Sequence, residues 1–312
     1  MSGDVKFQFS GHETFALRYG WLKKVVDALT SKTRPSESTI FSSEEAIAYF
    51  GVGKNMVSSM RHWALSCEII EHVEKNIFNI SELGDFLFSD CKGVDPYLEN
   101  SASLWLLHWK LISRLARSTT WHFAFHQFSR NLFDRQILAS EIRALCHENG
   151  QTKVADKTFQ RDVECFLNTY VMRRGKNDYF GEETLECPLA ELFLISETAQ
   201  KGVFEFQIGP KPSLPDAVFN YALLEFAQRS GTGATLSLEH VTYDPGSPGR
   251  GFRLDENSVA DRLLGIEKSS KGAFVWSETA GLRQVHVKLP DLSPLELIKP
   301  AYAGSQLKAV AA

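Results

Sequence analysis

The sequence lacks several features that would assign it to a familiar class of protein. Its five cysteines are odd in number and scattered singly, without a C-x-x-C pair, which argues against a zinc site and favours reduced thiols. No apolar run is long enough to span a bilayer, and the N-terminus lacks the basic-then-apolar pattern of a signal peptide. We therefore expect a cytoplasmic protein that does not associate with membranes.

The sequence also lacks an excess of positive charge. It has 34 Lys and Arg against 38 Asp and Glu, so its formal net charge is −4. A protein with this charge can bind nucleic acid only through local basic patches and shaped elements. The glycine-rich segment 244–251 is not a P-loop, because it lacks the G-K-[ST] ending, and no ordered nuclease motif occurs.

The apolar content is sufficient for extensive cores, since 43% of the residues are hydrophobic and they include 22 Phe and 6 Trp. The predicted fold class is mainly α with small β-hairpins (α+β), with two or three winged helix-turn-helix-like units around a helical, aromatic-rich middle. Three domains are predicted: an N-terminal winged helix-turn-helix domain at 1–92, a helical middle domain with a second helix-turn-helix at 93–200, and a C-terminal α+β winged-helix-like domain at 201–312.

The segment 41–81 has the pattern of a winged helix-turn-helix. It predicts a helix that ends at Phe50, a tight glycine turn, a second helix from Lys54 to about Ser66, and a hairpin around Glu74–Asn76. In such a unit the second helix can enter the major groove of DNA. The residues predicted to face outward and contact DNA are Lys54, Asn55, Ser58, Ser59, Arg61 and His62, with Lys75 at the tip of the wing.

A second helix-turn-helix is predicted in the middle of the chain. The run VADKTFQRDV at 154–163 resembles the recognition helix of DeoR-type regulators, and basic residues follow at the end of the predicted helix. The glycine-rich loop at 244–251 carries one further arginine. The additional predicted DNA contacts are Lys157, Thr158, Gln160, Arg161, Arg173, Arg174, Lys176 and Arg250.

The N-terminal run FSGHETF contains a His-Glu pair with two interpretations. Ser10 and Glu13 fit the S-x-x-E capping box, in which both would begin a helix. Alternatively, His12, Glu13 and Arg18 could supply a general base and a phosphate clamp, and Asp162 is a further candidate base. We favour the cap for Glu13 and leave His12 open. The candidate catalytic residues are therefore His12, Glu13, Arg18 and Asp162.

Two patterns suggest metal ligands without completing a site. His122 and His126 lie one helical turn apart, but Phe123 takes the place of the glutamate of H-E-x-x-H, and the aromatic neighbours favour packing. The acidic residues Asp178, Glu182 and Glu183 could hold magnesium, although a solvated acidic loop is the simpler interpretation.

Five separated phrases occur in order along the chain: FSGHETFALRYGWLKK, TFQRDVECFLNTY, ECPLAEL, GPKPSLP and SETAGLRQ. Together they resemble the domain-of-unknown-function family encoded in bacterial DNA phosphorothioation operons. The resemblance implies a protein that nicks DNA where sulfur replaces a non-bridging phosphate oxygen, beside a cysteine desulfurase and ATP-using partners. We expect no tightly bound cofactor, and a divalent metal (Mg²⁺ or Mn²⁺) for the nicking step.

Three functions remain open from the sequence. The first is a DNA nicking endonuclease, which rests on the resemblance. The second is a non-catalytic winged-helix DNA-binding adaptor or regulator, which needs no active site. The third is a scaffold whose winged helices bind protein, which the net charge and the acidic Glu71 and Glu74 beside the wing favour.

Overall fold

The computed structural model describes residues 6–31, 40–42, 44–172, 187–231, 235–279 and 281–303. These residues form an α+β protein in which helices predominate and three small sheets are antiparallel, as predicted for the fold class. The helices are α1 (Trp21–Thr30), α2 (Glu44–Phe50), α3 (Lys54–Ser66), α4 (Glu82–Phe88), α5 (Ser101–Ser113), α6 (Thr119–His126), α7 (Arg135–Glu148), α8 (Asp156–Tyr170), α9 (Asp216–Ser230), α10 (Leu238–Tyr243), α11 (Pro248–Gly251), α12 (Glu256–Leu264), α13 (Ile266–Ser269) and α14 (Pro294–Ile298). The strands are β1 (Ile70–Glu74), β2 (Ile77–Ile80), β3 (Leu132–Asp134), β4 (Ile195–Glu197), β5 (Val203–Phe206), β6 (Thr235–Ser237), β7 (Phe274–Thr279) and β8 (Leu282–Val287).

The chain folds into two compact units, and helices α5 and α6 contribute residues to both. The first unit comprises Met1–Glu99, Lys110–Ala124 and Phe128–Phe206, and the second comprises Asn100–Trp109, Phe125–Gln127 and Gln207–Ala312. The predicted division into three domains at 1–92, 93–200 and 201–312 stays a prediction. Along the described residues, no helix combines the length and the apolar character that crossing a bilayer requires.

The helix, turn, helix and hairpin predicted at 41–81 form at the expected positions in the first unit. Gly51 takes a φ of 67° in the turn between α2 and α3, a conformation that glycine adopts without steric cost. Val57, Met60 and Ala64, which the helical spacing of the sequence places on the inner face of α3, are buried. Strands β1 and β2 pair in antiparallel register, from Ile70 opposite Ile80 to the turn after Glu74.

The apolar spacing of the sequence predicts two amphipathic helices in the middle segment, one over 136–147 and one whose apolar stripe begins at Phe159, and both form in the first unit as α7 and α8. Asp134 caps α7 by accepting a hydrogen bond from the backbone N–H of Ile137 at 2.8 Å. Helix α8 buries the predicted stripe, which includes Phe159, Val163 and Phe166. Beside them, β3, β5 and β4 form a three-stranded sheet with β5 in the centre.

The N-terminal segment is not the helix that the capping box predicts. Ser10, Glu13 and Thr14 have φ values of 61°, 48° and 69°, so this segment consists of successive turns, and α1 begins only at Trp21. The backbone N–H of Ser10 donates to Asp162 at 2.9 Å and not to Glu13. The capping-box prediction is wrong because a buried carboxylate on α8 takes the donor that the cap would have used.

The second unit is built around α9, most of whose side chains are buried. This helix is apolar on all sides, which is typical of a helix surrounded by other elements. The apolar run at 236–241 predicts a strand from the sequence, and this prediction is wrong: β6 ends at Ser237, whose hydroxyl accepts from the N–H of His240 at 3.1 Å and so begins α10. The sequence also predicts a helix at 256–264 and a hairpin formed by 274–276 and 283–287, and both are confirmed, as α12 and as β7 with β8.

Candidate functional site

A loop formed by residues 8–15, which we call the His12 loop, lies between α3 and α8 in the first unit. His12 is 1% exposed, and its Nε2 lies 2.7 Å from Oδ1 of Asp162. Its Nδ1 accepts a hydrogen bond from the backbone N–H of Thr14 at 3.0 Å. Because Nδ1 is an acceptor, the ring proton is on Nε2, which donates to Asp162.

Asp162 projects from the buried face of α8 and is 1% exposed. Besides His12, its carboxylate accepts from the backbone N–H of Ser10 and from the hydroxyl of Thr120 at the start of α6. A buried carboxylate is costly unless donors surround it, and here three donors converge on it. Asp162 thereby joins the His12 loop, α6 and α8.

The other side of the His12 loop packs on His62 of α3. The imidazole rings of His12 and His62 lie 5.7 Å apart in an edge-to-face arrangement. A Cβ on Gly11 would lie 2.4 Å from Nδ1 of His62, so this approach requires glycine. Burial is the largest cause that lowers the pKa of His62, to about 3.

Two tryptophans enclose this centre. The ring of Trp121 lies 5.7 Å from that of His12 and 5.4 Å from that of Trp63, both edge-to-face. The indole N–H of Trp63 donates to the carbonyl of Phe15 at the end of the loop, at 3.0 Å. With both ring nitrogens of His12 bonded and aromatic rings around it, neither His12 nor Asp162 reaches a phosphate at the protein surface.

The four candidate catalytic residues are therefore in two different environments. His12 and Asp162 are brought together in the interior. Glu13 is exposed, and the guanidinium of Arg18 lies over aromatic rings, 5.8 Å from the centre of Phe15 and 5.6 Å from that of Trp21. The structure does not bring these four side chains to one point on the surface.

The predicted DNA contacts on α3 divide between its surface and its interior. Ser59 is 0% and His62 6% exposed, so the prediction that they face outward is wrong. For His62 the physical reason is the His12 loop, which covers a side of α3 that a helix-turn-helix pattern leaves open. The predicted contacts that are exposed or half-buried are Lys54, Asn55, Ser58, Arg61 and, in the turn between β1 and β2, Lys75.

The predicted contacts on α8 lie at its beginning, beside a groove of about 730 Å³ between α7 and α8. Two ion pairs connect the walls of this groove: Arg135 with Glu164 at 2.6 Å, and Arg143 with Asp156 at 3.2 Å. Lys157, Gln160 and Arg161 are exposed and Thr158 is half-buried, while Arg250 is half-buried in the second unit. The predicted contacts Arg173, Arg174 and Lys176 lie outside the described residues.

Among the residues that the structure describes, no three His, Cys, Asp or Glu side chains form a group that could hold a metal ion. The Nδ1 of His122 bonds to the carbonyl of Ile112 at 2.7 Å, and that of His126 accepts from the N–H of Gly246 at 3.1 Å. The H-x-x-x-H spacing therefore serves two separate hydrogen bonds. Asp178, Glu182 and Glu183 lie outside the described residues.

The sequence analysis missed the pairing of His12 with Asp162, which are 150 positions apart. It also missed the donor Thr120 and the close contact of Gly11 with His62. The two members of the pair stand in two of the phrases that carry the family resemblance, FSGHET and TFQRD. The presence of a histidine in one phrase and a carboxylate in the other is the signal that could have suggested a shared site.

We expect His12→Ala to destabilise the protein by about 2 kcal/mol, because Asp162 loses a donor that it cannot replace with water in the interior. Urea unfolding followed by circular dichroism measures this change. Glu13→Ala is the matched control, since Glu13 is adjacent but exposed, and we expect its effect to stay within about 0.5 kcal/mol. Equal effects of the two substitutions would contradict this assignment.

We expect the stability to fall as the pH decreases below about 6.5, the pKa of an unfolded histidine, because His62 stays neutral in the folded protein down to about pH 3. Below that pH the unfolded chain binds one proton more than the folded protein for each such histidine. Each of these histidines therefore lowers the free energy of unfolding by up to about 1.4 kcal/mol per pH unit. Burial likewise lowers the pKa of His108 in the second unit to about 3. The measurement is the urea unfolding free energy across this pH range.

His62→Asn should reduce the slope of the unfolding free energy against pH by the contribution of about one proton. His147→Asn is the control, since this histidine is exposed at the end of α7. An unchanged slope in His62→Asn would show that His62 is not the group responsible.

The chain is similar to proteins of known structure along almost its full length. A crystal structure of SspB has a TM-score of 0.83 and 29% sequence identity, covering 97% of this chain and 91% of SspB. A magnesium ion-bound crystal structure of SspB has a TM-score of 0.81 and 29% identity, covering 96% of this chain and 89% of SspB. No curated protein matches the chain. The family described as protein of unknown function (DUF4007) matches residues 9–302, and the chain therefore belongs to the DUF4007 family.

Proposed function

We propose that the protein is a DNA-binding component of a bacterial DNA phosphorothioation system. The observation that carries this proposal is the likeness to SspB over 97% of the chain. The phosphorothioation setting comes from the resemblance of the five sequence phrases to the family of those operons. The partners in this proposal are DNA and, by the same resemblance, a cysteine desulfurase and ATP-using proteins.

In this proposal α2, α3, β1 and β2 act as a winged helix-turn-helix. Lys54 and Asn55 are exposed at the beginning of α3, where a recognition helix contacts base edges and phosphates. Lys75 is exposed in the turn of the hairpin and would contact the DNA backbone. A lysine suits phosphate oxygens, and an asparagine can bond to an adenine edge.

Helix α8 supplies a second contact in the first unit, through Lys157, Gln160 and Arg161 near its beginning. Asp162, next in sequence, points into the interior, where it holds the His12 loop. Because this loop is bonded to α8 and packed on α3, it sets the separation of the two proposed recognition helices. His12 and Asp162 are thus positioning residues in this proposal, without contact to DNA.

We expect Lys157→Ala and Arg161→Ala each to weaken DNA binding by roughly three- to tenfold and to reduce the salt slope by about one, because each removes one phosphate contact. Fluorescence anisotropy with a labelled duplex at several salt concentrations measures both quantities. Lys201→Ala is the matched control, an exposed lysine of the first unit in the turn between β4 and β5.

Binding without salt dependence, or an equal loss in all three variants, would contradict the proposed contacts on α8. Binding of protein partners alone, with no detectable DNA binding, would favour the scaffold function. Lys201 lies outside the proposed contact helices. A loss of binding confined to the two α8 variants therefore reports their own contacts, and an equal loss in Lys201→Ala reports a general effect of removing charge.

Nicking of DNA is a second candidate function, favoured by the existence of a magnesium ion-bound SspB structure. Cleavage of a phosphodiester needs charge neutralisation on the phosphate and usually a metal or a general base. Glu13 is the exposed carboxylate among the four candidate catalytic residues, and it lies on the His12 loop. Substitution of Glu13 therefore tests whether DNA is cleaved at this loop.

Supercoiled plasmid incubated with the protein and Mg²⁺ or Mn²⁺ is expected to become open circular, and a chelator is expected to prevent this. Glu13→Gln should slow the conversion by about 100-fold or more if its carboxylate takes the proton. Glu267→Gln, an exposed carboxylate in the second unit, is the control. Plasmid that stays supercoiled while its mobility shifts in a salt-sensitive manner would favour the non-catalytic adaptor.

A further inference from the structure

The second unit repeats an arrangement of helices and strands that is present in the first. In the first unit β3 is followed by α7 and α8 and then by the paired strands β4 and β5, and the sheet order is β3-β5-β4. In the second unit β6 is followed by α10 to α13 and then by the hairpin of β7 and β8, and the sheet order is β6-β8-β7. Helix α12 is the last helix of more than about one turn before the hairpin, as α8 is in the first unit.

The outer surface of α12 carries the opposite charge to that of α8. Near the beginning of α8, Lys157 and Arg161 are exposed. In the first two turns of α12 the exposed residues are Glu256, Asn257 and Asp261. Carboxylates repel the phosphates of a DNA backbone, so this surface of the second unit does not suit DNA in the way that the surface of α8 does.

A groove of about 380 Å³ lies between α10, the beginning of α12 and the beginning of β8, and we call it the Tyr243 groove. Two of the side chains that line it are large, apolar and exposed: Tyr243 is 52% and Leu282 is 62% exposed. Glu239 and Glu256 contribute carboxylates to the same lining. Exposed apolar side chains together with charged groups in one concave surface are typical of a recognition site.

Contacts to Glu256 connect the walls of the Tyr243 groove. The hydroxyl of Tyr243 donates to Oε2 of Glu256 at 3.3 Å, and Nη1 of Arg283 lies 3.5 Å from Oε1 of the same carboxylate. Arg283 also lies 3.8 Å from Glu278, its partner across the hairpin. These contacts join α10, α12 and β8, so the groove exists before a partner binds. A preformed surface loses less conformational freedom on binding.

The charge of the Tyr243 groove determines which partner suits it. Among the described residues that line the groove, the carboxylates of Glu239 and Glu256 outnumber the single cation, Arg283. That cation already lies against Glu256 and Glu278. The groove therefore has an excess of negative charge beside its two exposed apolar side chains, which is complementary to a surface that is both basic and apolar.

We propose that the Tyr243 groove docks a basic segment of a partner protein, in which lysine or arginine side chains are adjacent to apolar ones. The apolar side chains of the segment pack on Tyr243 and Leu282, and its cationic side chains pair with Glu239. Tyrosine is enriched at protein interfaces, where its ring contributes a large contact area. This docking does not rest on the proposed DNA binding by the first unit, and either can fail without the other.

The test is fluorescence anisotropy of the full-length protein with three short labelled peptides, which alternate Lys with Leu, Lys with Ser, and Ser with Leu. We expect the Lys-Leu peptide to bind at least about tenfold more tightly than either of the others, because it alone supplies both the charge and the apolar contact. A labelled DNA duplex is titrated in parallel.

Leu282→Ser and Glu239→Gln are each expected to weaken binding of the Lys-Leu peptide by roughly three- to tenfold, because one removes apolar contact area and the other a charge partner. Leu264→Ser and Glu267→Gln are the matched controls. Leu264 is 63% exposed at the end of α12, Glu267 is exposed on α13, and neither lines the groove. Circular dichroism of each variant verifies that a loss of binding is not a loss of fold.

Preferential binding of the Lys-Leu peptide that is weakened in the two groove variants and retained in the two controls supports the proposal. Equal binding of the Lys-Leu and Lys-Ser peptides, or an equal loss in all four variants, overturns it, because binding then reports only net charge. Weaker binding of the DNA duplex by Leu282→Ser would assign the surface to nucleic acid and overturn it. Self-association of the protein that is lost in Leu282→Ser and that the Lys-Leu peptide does not displace would assign the groove to a second copy of the chain, with the same consequence.

Discussion

The carboxylate of Asp162 is the group on which the arrangement of the first unit depends. It is buried and accepts from the imidazole of His12 and the backbone N–H of Ser10, both in the His12 loop, and from the hydroxyl of Thr120 on α6. A buried carboxylate that lost these donors would face a large desolvation cost, so the His12 loop and the start of α6 are both held against α8. The turns of the His12 loop, including the left-handed Ser10, follow from this requirement.

These hydrogen bonds to Asp162 change the interpretation of His12 in the N-terminal run. A histidine beside a carboxylate is the arrangement of a general base, but catalysis also requires access to substrate. His12 has one nitrogen bonded to Asp162, the other to the backbone of Thr14, and Trp121 against its ring. Its contribution is to hold the loop between α3 and α8, and a side chain that contacts a substrate must be one that is exposed at the surface.

The sequence by itself determined those elements whose signals are local. Helices α2, α3, α8 and α12 and the two hairpins follow from apolar periodicity and turn residues within a few positions, and these interactions do not depend on the rest of the chain. The short helix α10 was mistaken for a strand, because an apolar run of that length suits either structure until Ser237 caps it. Only the tertiary structure decided that Ser10 and Glu13 do not cap a helix, that Ser59 and His62 are interior, and that His12 meets Asp162. The physical reason is that contacts between distant segments bury these side chains and supply the donors that Asp162 needs, and the separation of two residues along the sequence does not show which segments will meet.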